Sequence, residues 1–289
     1  MAFGLPAHQP EMQAPVCPRH PDRPSYVRCQ RCGRPACPEC QRSAAVGMQC
    51  VECVAESNAA VRSPRTAFGG TVREGKTVVT FSLMAACVVV FLGQFAIPSL
   101  ERELLYAGVY TGSEPWRMLT ATFLHSTGFL MHIAFNMYAL YAIGQTLEPM
   151  LGRLRFLVLY LVSGFGGSVA VLLLEDPRVG VVGASGAVFG LFGALLVVMK
   201  ARGGNYMPIL ILIGINLVLG FLPGVNISWQ AHLGGLVTGA AVSAVFAYAP
   251  RGPRRAVVQW SGVALIVAVL LFLTWWGWQL VPGKLFDAV

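Results

Sequence analysis

Four polar residues lie in, or at the edge of, strongly apolar stretches of this 289-residue sequence: His132, Asn136, Ser185 and His232. Ionisable side chains are costly inside membrane-spanning segments and generally serve a function there. A serine hydroxyl is a weak nucleophile until a base takes its proton, and histidine titrates in the range suited to that task. Acyl transfer also needs donors at the developing oxyanion. The residues therefore indicate nucleophilic catalysis by a serine. The Ser185 amide and the side chains of His132 and Asn136 could donate hydrogen bonds to the oxyanion.

The stretches that hold these residues are long enough to cross a bilayer. Hydrophobic residues make up 55% of the chain and charged residues 12%, whereas soluble proteins carry ~25% charged residues. A helix crosses a bilayer with ~20 apolar residues. The candidate spans are 78–97, 129–147, 155–174, 185–200, 206–222, 230–249 and 257–281. The sequence predicts an all-α polytopic membrane protein embedded in the lipid bilayer.

The basic residues predict the orientation of these spans. If the N-terminus is cytoplasmic, 17 of the 21 Lys and Arg residues lie on the cytoplasmic side and four lie outside. Cytoplasmic loops are enriched in Lys and Arg, so we predict a cytoplasmic N-terminus and an extracytoplasmic C-terminus. The net charge of +8 is thereby explained by topology, and no nucleic acid partner is expected. We expect a multi-pass protein of a bacterial cell membrane.

This topology brings the polar residues together. The second, fourth and sixth spans run inward from the outer face, and His132, Ser185 and His232 each lie near the start of one of them. His132 and Asn136 are four residues apart and share one helix face. Small residues that allow close helix approach recur in the fourth and sixth spans, at Gly186/Gly190 and Gly235/Gly239. We therefore predict that the four residues converge just below the outer surface.

Simpler interpretations exist for each residue taken alone. Serine and glycine in membrane helices are usually packing residues, and this applies to Ser185. The Gly-x-Ser-Gly sequence is not the elbow of soluble hydrolases, because Ala187 stands where that motif has glycine. His125 and Ser126 precede the second span and are interpreted as interfacial. The convergence of four residues, rather than any single motif, favours an enzyme.

Two other classes of function remain open. One is a membrane scaffold or chaperone without catalysis, and it predicts that replacing Ser185 has no effect. The other is a transporter with His132 and His232 as a proton relay. That mechanism predicts acidic residues in mid-membrane, but Glu148 lies near a helix end and Glu175 and Asp176 lie in a loop.

A cysteine-rich segment precedes the apolar region. It contains four pairs of potential ligands with two residues between the members of each pair: Cys17/His20, Cys29/Cys32, Cys37/Cys40 and Cys50/Cys53. These ligands fill two closed tetrahedral zinc sites, which are structural rather than catalytic. Disulfides are the alternative, but the cytoplasm disfavours them. We predict two structural Zn²⁺ ions, no cofactor for catalysis, and a module that binds a cytosolic protein partner.

Residues 17–53 resemble a B-box zinc finger. The resemblance implies interleaved ligand pairs, so that one zinc is held by Cys17, His20, Cys37 and Cys40. The other zinc is then held by Cys29, Cys32, Cys50 and Cys53. B-boxes usually end in histidine ligands, whereas this segment ends in Cys50 and Cys53.

The apolar region resembles the rhomboid family of intramembrane serine proteases over roughly 77–250. The matching pieces are Trp116-Arg117, His132-Ile-Ala-Phe-Asn136, Gly183-Ala184-Ser185-Gly186 and Ala231-His232-Leu-Gly-Gly235 with Gly239. The resemblance implies a six-helix core in which Ser185 is the nucleophile and His232 is its base and acid, without an aspartate. It implies an oxyanion hole of His132, Asn136 and the Ser185 amide. Expected substrates are single-span membrane proteins that are cut in or near their transmembrane segment.

The resemblance also predicts how one aromatic residue and the loop before the second span are used. Some bacterial members carry tyrosine four residues after the nucleophile, where this chain has Phe189, whose ring can still stack on the histidine. Trp116 and Arg117 are expected in a loop at the lipid interface.

The expected domain organisation follows from these regions. It comprises a disordered start at 1–16, a zinc-binding domain at 17–53, a linker at 54–76, a rhomboid core at 77–250, and a seventh span with the C-terminal tail at 251–289.

Overall fold

The computed structural model describes residues 14–60, 65–71, 75, 77–219 and 227–286. The chain forms two compact units, Met1–Ser63 and Pro64–Val289. Most of the expected disordered start, 1–16, lies outside the described residues. So do the end of the predicted fifth span, at 220–222, and the last three residues of the tail.

The N-terminal unit is built around its cysteines. Strand β1 (Val16–Cys17) pairs antiparallel with β2 (His20–Pro24), and β3 (Gln41–Ala44) pairs antiparallel with β4 (Gly47–Cys50). Helix α1 (Val51–Ala60) follows directly. The buried cluster of this unit consists of six cysteines and Ala36. Apolar side chains alone rarely stabilise a core this small, and most of the buried residues here are cysteines.

The described residues of the second unit are mainly helical. Its helices are α2 (Val78–Ala96), α3 (Leu100–Leu104), α4 (Arg117–Thr120), α5 (Leu130–Leu151), α6 (Arg153–Leu174), α7 (Ser185–Ala201), α8 (Met207–Leu219), α9 (Trp229–Tyr248) and α10 (Arg255–Phe286). Apart from the short α3 and α4, each falls on a predicted span. Among the described residues, four helices, α2, α6, α9 and α10, are long and apolar enough to cross a membrane, and α7 and most of α8 are apolar but shorter. The predicted polytopic helical fold is confirmed.

Helix α7 lies at the centre of this unit, because its small residues allow other helices to touch its backbone. A side chain at Gly235 of α9 would collide with the carbonyl oxygen of Gly186, and one at Gly239 would collide with that of Gly190. The predicted close approach of the fourth and sixth spans is therefore confirmed. It fixes the starts of α7 and α9, which hold Ser185 and His232, beside each other.

The opposite end of the bundle is held by polar contacts. Glu148 near the end of α5 accepts hydrogen bonds from the N–H groups of Val79 (3.0 Å) and Thr80 (2.8 Å), and so caps α2. Gly152, with φ of 84°, makes the one-residue turn between α5 and α6. A positive φ of this kind is readily adopted by glycine alone.

The segment expected as a linker, 54–76, is partly built into the two units. Its first residues continue helix α1 to Ala60. Residues 65–71 form a turn on the helical unit, in which the Thr66 N–H donates to the Gly70 carbonyl at 2.8 Å. Phe68 of this turn is buried in the hydrophobic core of the helical unit.

Candidate active site

Ser185 is the first residue of helix α7. Gly183, with φ of 132°, turns the chain into the helix, and its N–H donates to the Ala121 carbonyl at 2.9 Å. The first bond of the helix runs from the Val188 N–H to the Ala184 carbonyl at 2.9 Å. The amide groups of Ser185 and the two following residues therefore belong to the free donors of a helix N-terminus. Such donors suit an oxyanion that forms beside the half-buried Ser185 hydroxyl.

His132 faces the same small space as Ser185. A β-carbon at Gly183 would lie 2.8 Å from His132 Nε2 and 3.6 Å from Ser185 Oγ. The backbone N–H of Ser126 donates to His132 Nδ1 at 3.1 Å. Because Nδ1 accepts this bond, a neutral imidazole carries its proton on Nε2. His132 therefore presents an N–H donor toward the space beside the serine hydroxyl.

Asn136 lies one turn further along α5 and is buried. Its Nδ2 donates to the His132 carbonyl at 2.8 Å, which uses one of its two amide hydrogens. Within the described chain, the structure gives Asn136 no hydrogen bond to Ser185. It brings His132 and Ser185 to one space and leaves Asn136 with one amide hydrogen to donate.

His232 lies in the first turn of α9. The Ser228 hydroxyl caps this helix by accepting from the Ala231 N–H at 3.2 Å. The imidazole stacks on Phe189, with ring centroids 3.9 Å apart and ring planes at 11°. Phe189 follows Ser185 by four residues and so shares its face of α7. The predicted stacking of Phe189 is confirmed, and it places the imidazole on the serine's side of the helix.

The interfacial interpretation is wrong for His125 and stays a prediction for Ser126, which is partly exposed. His125 is fully buried, and its ring centroid lies 5.3 Å from that of His132. The side-chain amide of Gln94 holds the His125 backbone, donating to its carbonyl at 2.8 Å and accepting from its N–H at 3.0 Å. Burial, with a smaller contribution from His132, lowers the pKa of His125 to about 4, so it is neutral at pH 7. Both residues support His132. The His125 ring lies close to the His132 ring, and the Ser126 amide determines the tautomer of His132.

The loop between α2 and α5 is organised by Arg117. Its guanidinium forms an ion pair with Glu114 at 2.7 Å and donates to the Arg102 carbonyl at 2.6 Å. It also lies over the ring of Tyr110, 4.2 Å from the centroid. Trp116 beside it is 53% exposed. This arrangement makes the loop a compact structure at the Ser185 end of the bundle.

The N-terminal unit gathers its cysteines and His20 into two groups. They are the groups that the B-box resemblance implies: Cys17, His20, Cys37, Cys40 and Cys29, Cys32, Cys50, Cys53, with the ligand atoms of each within 4.8 Å of one another. Each group therefore has four potential ligand atoms close enough together to coordinate one metal ion.

The distances within the groups fit a tetrahedral ion. His20 Nδ1 lies 3.2 Å from Cys37 Sγ and 3.4 Å from Cys40 Sγ, and Cys32 Sγ lies 3.7 Å from Cys50 Sγ. In a tetrahedral zinc site with Zn–S of ~2.3 Å, neighbouring sulfurs are ~3.8 Å apart. All of these cysteines are free, and a disulfide requires ~2.05 Å. The donor set and its spacing suit two metal ions.

Comparison with known proteins bears on the helical unit. Residues 112–249 match the rhomboid domain family. The rhomboid protein YdcA of Bacillus subtilis is 34% identical over 178 residues, which cover 57% of this chain and 86% of YdcA. The chain belongs to the rhomboid family. The region matched to the rhomboid domain contains all four residues of the candidate site and leaves out the cysteine-rich unit.

Other relatives of this rhomboid come from bacteria and plants. Rhomboid protease GluP of Bacillus subtilis is 35% identical over 212 residues, covering 69% of this chain and 39% of GluP. RHOMBOID-like protein 6, mitochondrial, of Arabidopsis thaliana is 37% identical over 150 residues, covering 50% of this chain and 47% of the plant protein. This rhomboid thus spans about half or less of the length of these two relatives.

Proposed function

We propose that this rhomboid is an intramembrane serine endopeptidase that cuts single-span membrane proteins in or near their transmembrane segment. Ser185 is the nucleophile and His232 is the general base. One observation carries the proposal. His232 stacks on the Ser185 face of α7, while His132 Nε2 faces Ser185 Oγ across the space at Gly183.

The first step forms an acyl-enzyme. An imidazole nitrogen of His232 takes the Ser185 hydroxyl proton as Oγ bonds to the scissile carbonyl carbon. The carbonyl oxygen becomes an oxyanion, which accepts from the Ser185 amide and His132 Nε2–H, with the remaining Asn136 hydrogen as a third donor. The C–N bond then breaks, and His232 gives its proton to the leaving amine.

The second step restores the enzyme. A water molecule loses a proton to His232 as its oxygen bonds to the acyl carbon. Collapse of the second oxyanion breaks the bond to Ser185 Oγ, which recovers the proton from His232, and the new carboxyl end of the substrate leaves.

Packing replaces the carboxylate of a catalytic triad in this proposal. Within the described residues, His232 Nδ1 is buried and has no hydrogen-bond partner. In a triad, an aspartate at this nitrogen orients the imidazole. Here the stack on Phe189 fixes the plane of the ring, so Ser185 and His232 act as a dyad.

The proposed orientation follows from the distribution of Lys and Arg. A cytoplasmic N-terminus places 17 of the 21 on the cytoplasmic side. The starts of α5, α7 and α9, and with them the candidate site, then face the extracytoplasmic side, where water for hydrolysis is available. The C-terminus is also extracytoplasmic.

We further propose that the N-terminal unit holds two zinc ions in closed structural sites. Each ion has four protein ligands, which leaves no position for a substrate. The zinc sites hold together a unit of few apolar residues, which we assign to binding a cytosolic protein partner. They have no part in the hydrolysis.

A fluorophosphonate probe tests the catalytic proposal without a known substrate. Purified full-length protein is treated with the probe beside Ser185→Ala and His232→Ala, with Ser82→Ala, an exposed serine of α2, as the matched control. We expect the wild type and Ser82→Ala to be labelled, and the two site variants not to be. A folded wild type that stays unlabelled would contradict the proposal and favour the scaffold.

A further inference from the structure

Two buried or half-buried arginines approach one turn at the end of the helical unit opposite Ser185. A β-carbon at Gly69 would lie 3.5 Å from Arg255 Nε, 3.5 Å from Gln259 Oε1 and 3.6 Å from an Arg155 terminal nitrogen. Arg155 is 8% exposed and donates twice to Gln259 Oε1, at 3.1 and 2.8 Å. Arg255 donates to the Ala67 carbonyl at 2.9 Å. The guanidinium groups of Arg155 and Arg255 thus lie on the same turn, 66–70.

A third arginine adds to the same charge. Arg65, which is exposed, points a terminal nitrogen at the Gly69 carbonyl, 3.5 Å away. The charges of Arg65 and Arg255 both repel that of Arg155. Placing like charges beside a buried arginine costs free energy unless an anion neutralises them.

No such anion comes from the part of the chain that the structure describes. There, Arg65, Arg155 and Arg255 form no ion pair with a carboxylate. Arg255 Nε is buried and has no hydrogen-bond acceptor among these residues. Buried charged groups of folded proteins are normally paired. The cluster therefore carries positive charge that no described residue neutralises.

Further positive charge lies next to the cluster. Two further arginines, Arg251 and Arg254, are exposed in the connection between α9 and α10. Helix α10 begins at Arg255, so the free N–H groups of its first turn add positive potential at the same place. These residues lie between two helices that are long and apolar enough to cross a membrane, so we expect them at the level of the lipid headgroups.

We propose that Arg65, Arg155, Arg251, Arg254 and Arg255 form a binding site for the phosphate headgroup of an anionic phospholipid. The exposed arginines meet the phosphate, and Arg255 links it to the turn 66–70 at the Ala67 carbonyl. Gln259 donates to the Phe68 carbonyl of the same turn and accepts from Arg155. Clusters of arginine at the end of a transmembrane helix favour anionic lipids over neutral ones. Free phosphate shares the same chemistry, but a lipid is held at this depth by its acyl chains as well.

Lipid titration of the full-length protein tests the site. The protein is purified in micelles with phosphatidylcholine, and phosphatidylglycerol is added in steps while the melting temperature is followed by tryptophan fluorescence. The test variant is Arg251→Gln/Arg254→Gln, which leaves the buried contacts in place. The matched control is Lys200→Gln/Arg202→Gln, which removes the same charge from exposed residues at the same end of the bundle.

We expect phosphatidylglycerol to raise the melting temperature of the wild type and of the control. Each arginine that is removed should lower the affinity for anionic lipid about fivefold. The test variant should therefore need roughly 25-fold more phosphatidylglycerol for the same rise in melting temperature. Arg255→Gln is a second variant, and its melting temperature should rise less than that of the wild type at the highest phosphatidylglycerol concentration. Equal titrations of the test variant and the wild type, equal losses in the control, or an equal rise with inorganic phosphate alone would each overturn the proposal.

Discussion

The imidazole of His232 lies flat on the phenyl ring of Phe189, with centroids 3.9 Å apart and planes at 11°. Because Phe189 follows Ser185 by one helical turn, the stack ties the histidine of α9 to the helix that carries the proposed nucleophile. Stacking fixes the plane of a ring but leaves it free to accept and donate protons. In the proposed dyad, ring packing therefore takes the orienting role that a carboxylate has in a triad.

Replacing Phe189 by alanine should lower the rate of fluorophosphonate labelling by at least about tenfold. An aromatic pair contributes ~1 kcal/mol, and a shift of ~1 Å in a catalytic group can lower a rate ~100-fold. Phe189→Tyr should keep labelling near the wild-type rate because its ring can stack in the same way. Leu191→Ala, which empties a fully buried site on the same helix, is the control for stability. Normal labelling of Phe189→Ala would show that the stack does not position the base.

Gly183→Ala should abolish most labelling while the protein stays folded. The new β-carbon would lie 2.8 Å from His132 Nε2, and φ of 132° strains any other residue. Displacing an oxyanion donor costs ~100- to 1000-fold in rate. Gly128→Ala, in the loop before α5, meets nothing within 4 Å and should label normally. The labelling rate of each variant is measured, and its melting temperature is measured to check that it is folded. Equal labelling rates for the two variants would argue against a donor at His132.

The helices and the convergence of the polar residues were predictable from the sequence, because both depend on local patterns. Apolar runs of about 20 residues set the spans. Glycines such as Gly235 and Gly239 are spaced to bring α9 onto α7. Antiparallel succession of the spans then places Ser185, His132 and His232 at one end.

The supporting contacts were not predictable, because backbone groups and distant residues make them. The tautomer of His132 depends on the Ser126 amide, which any residue type could supply. Gln94 holds the His125 backbone across 31 positions, and Gln259 binds Arg155 across 104 positions. Neither separation follows a sequence pattern from which the contact could be predicted. For the same reason the turn at 65–71 was expected to be part of a linker.

Glu148→Gln should lower the melting temperature markedly. Its carboxylate accepts from the N–H groups of Val79 and Thr80 and from the Thr80 hydroxyl, and so satisfies free donors of α2. Glutamine places an amide N–H against one of these donors, which should cost about 1–3 kcal/mol. Glu103→Gln, at an exposed position of α3, serves as the charge-matched control. Thermal unfolding in one detergent compares them, and equal melting temperatures would contradict the capping role.

Metal analysis should find two zinc ions per chain, with each group losing its ion independently. Cys37→Ser removes a ligand of the His20 group and Cys50→Ser one of the all-cysteine group, so each variant should retain one ion. Metal binding supplies ~10–16 kcal/mol to the folding of small zinc domains, so chelation should expose residues 14–60 to limited proteolysis. Cys87→Ser, in the buried face of α2, should keep both ions because that thiol belongs to neither group. Two ions retained in Cys37→Ser, or none in the wild type, would contradict the zinc assignment.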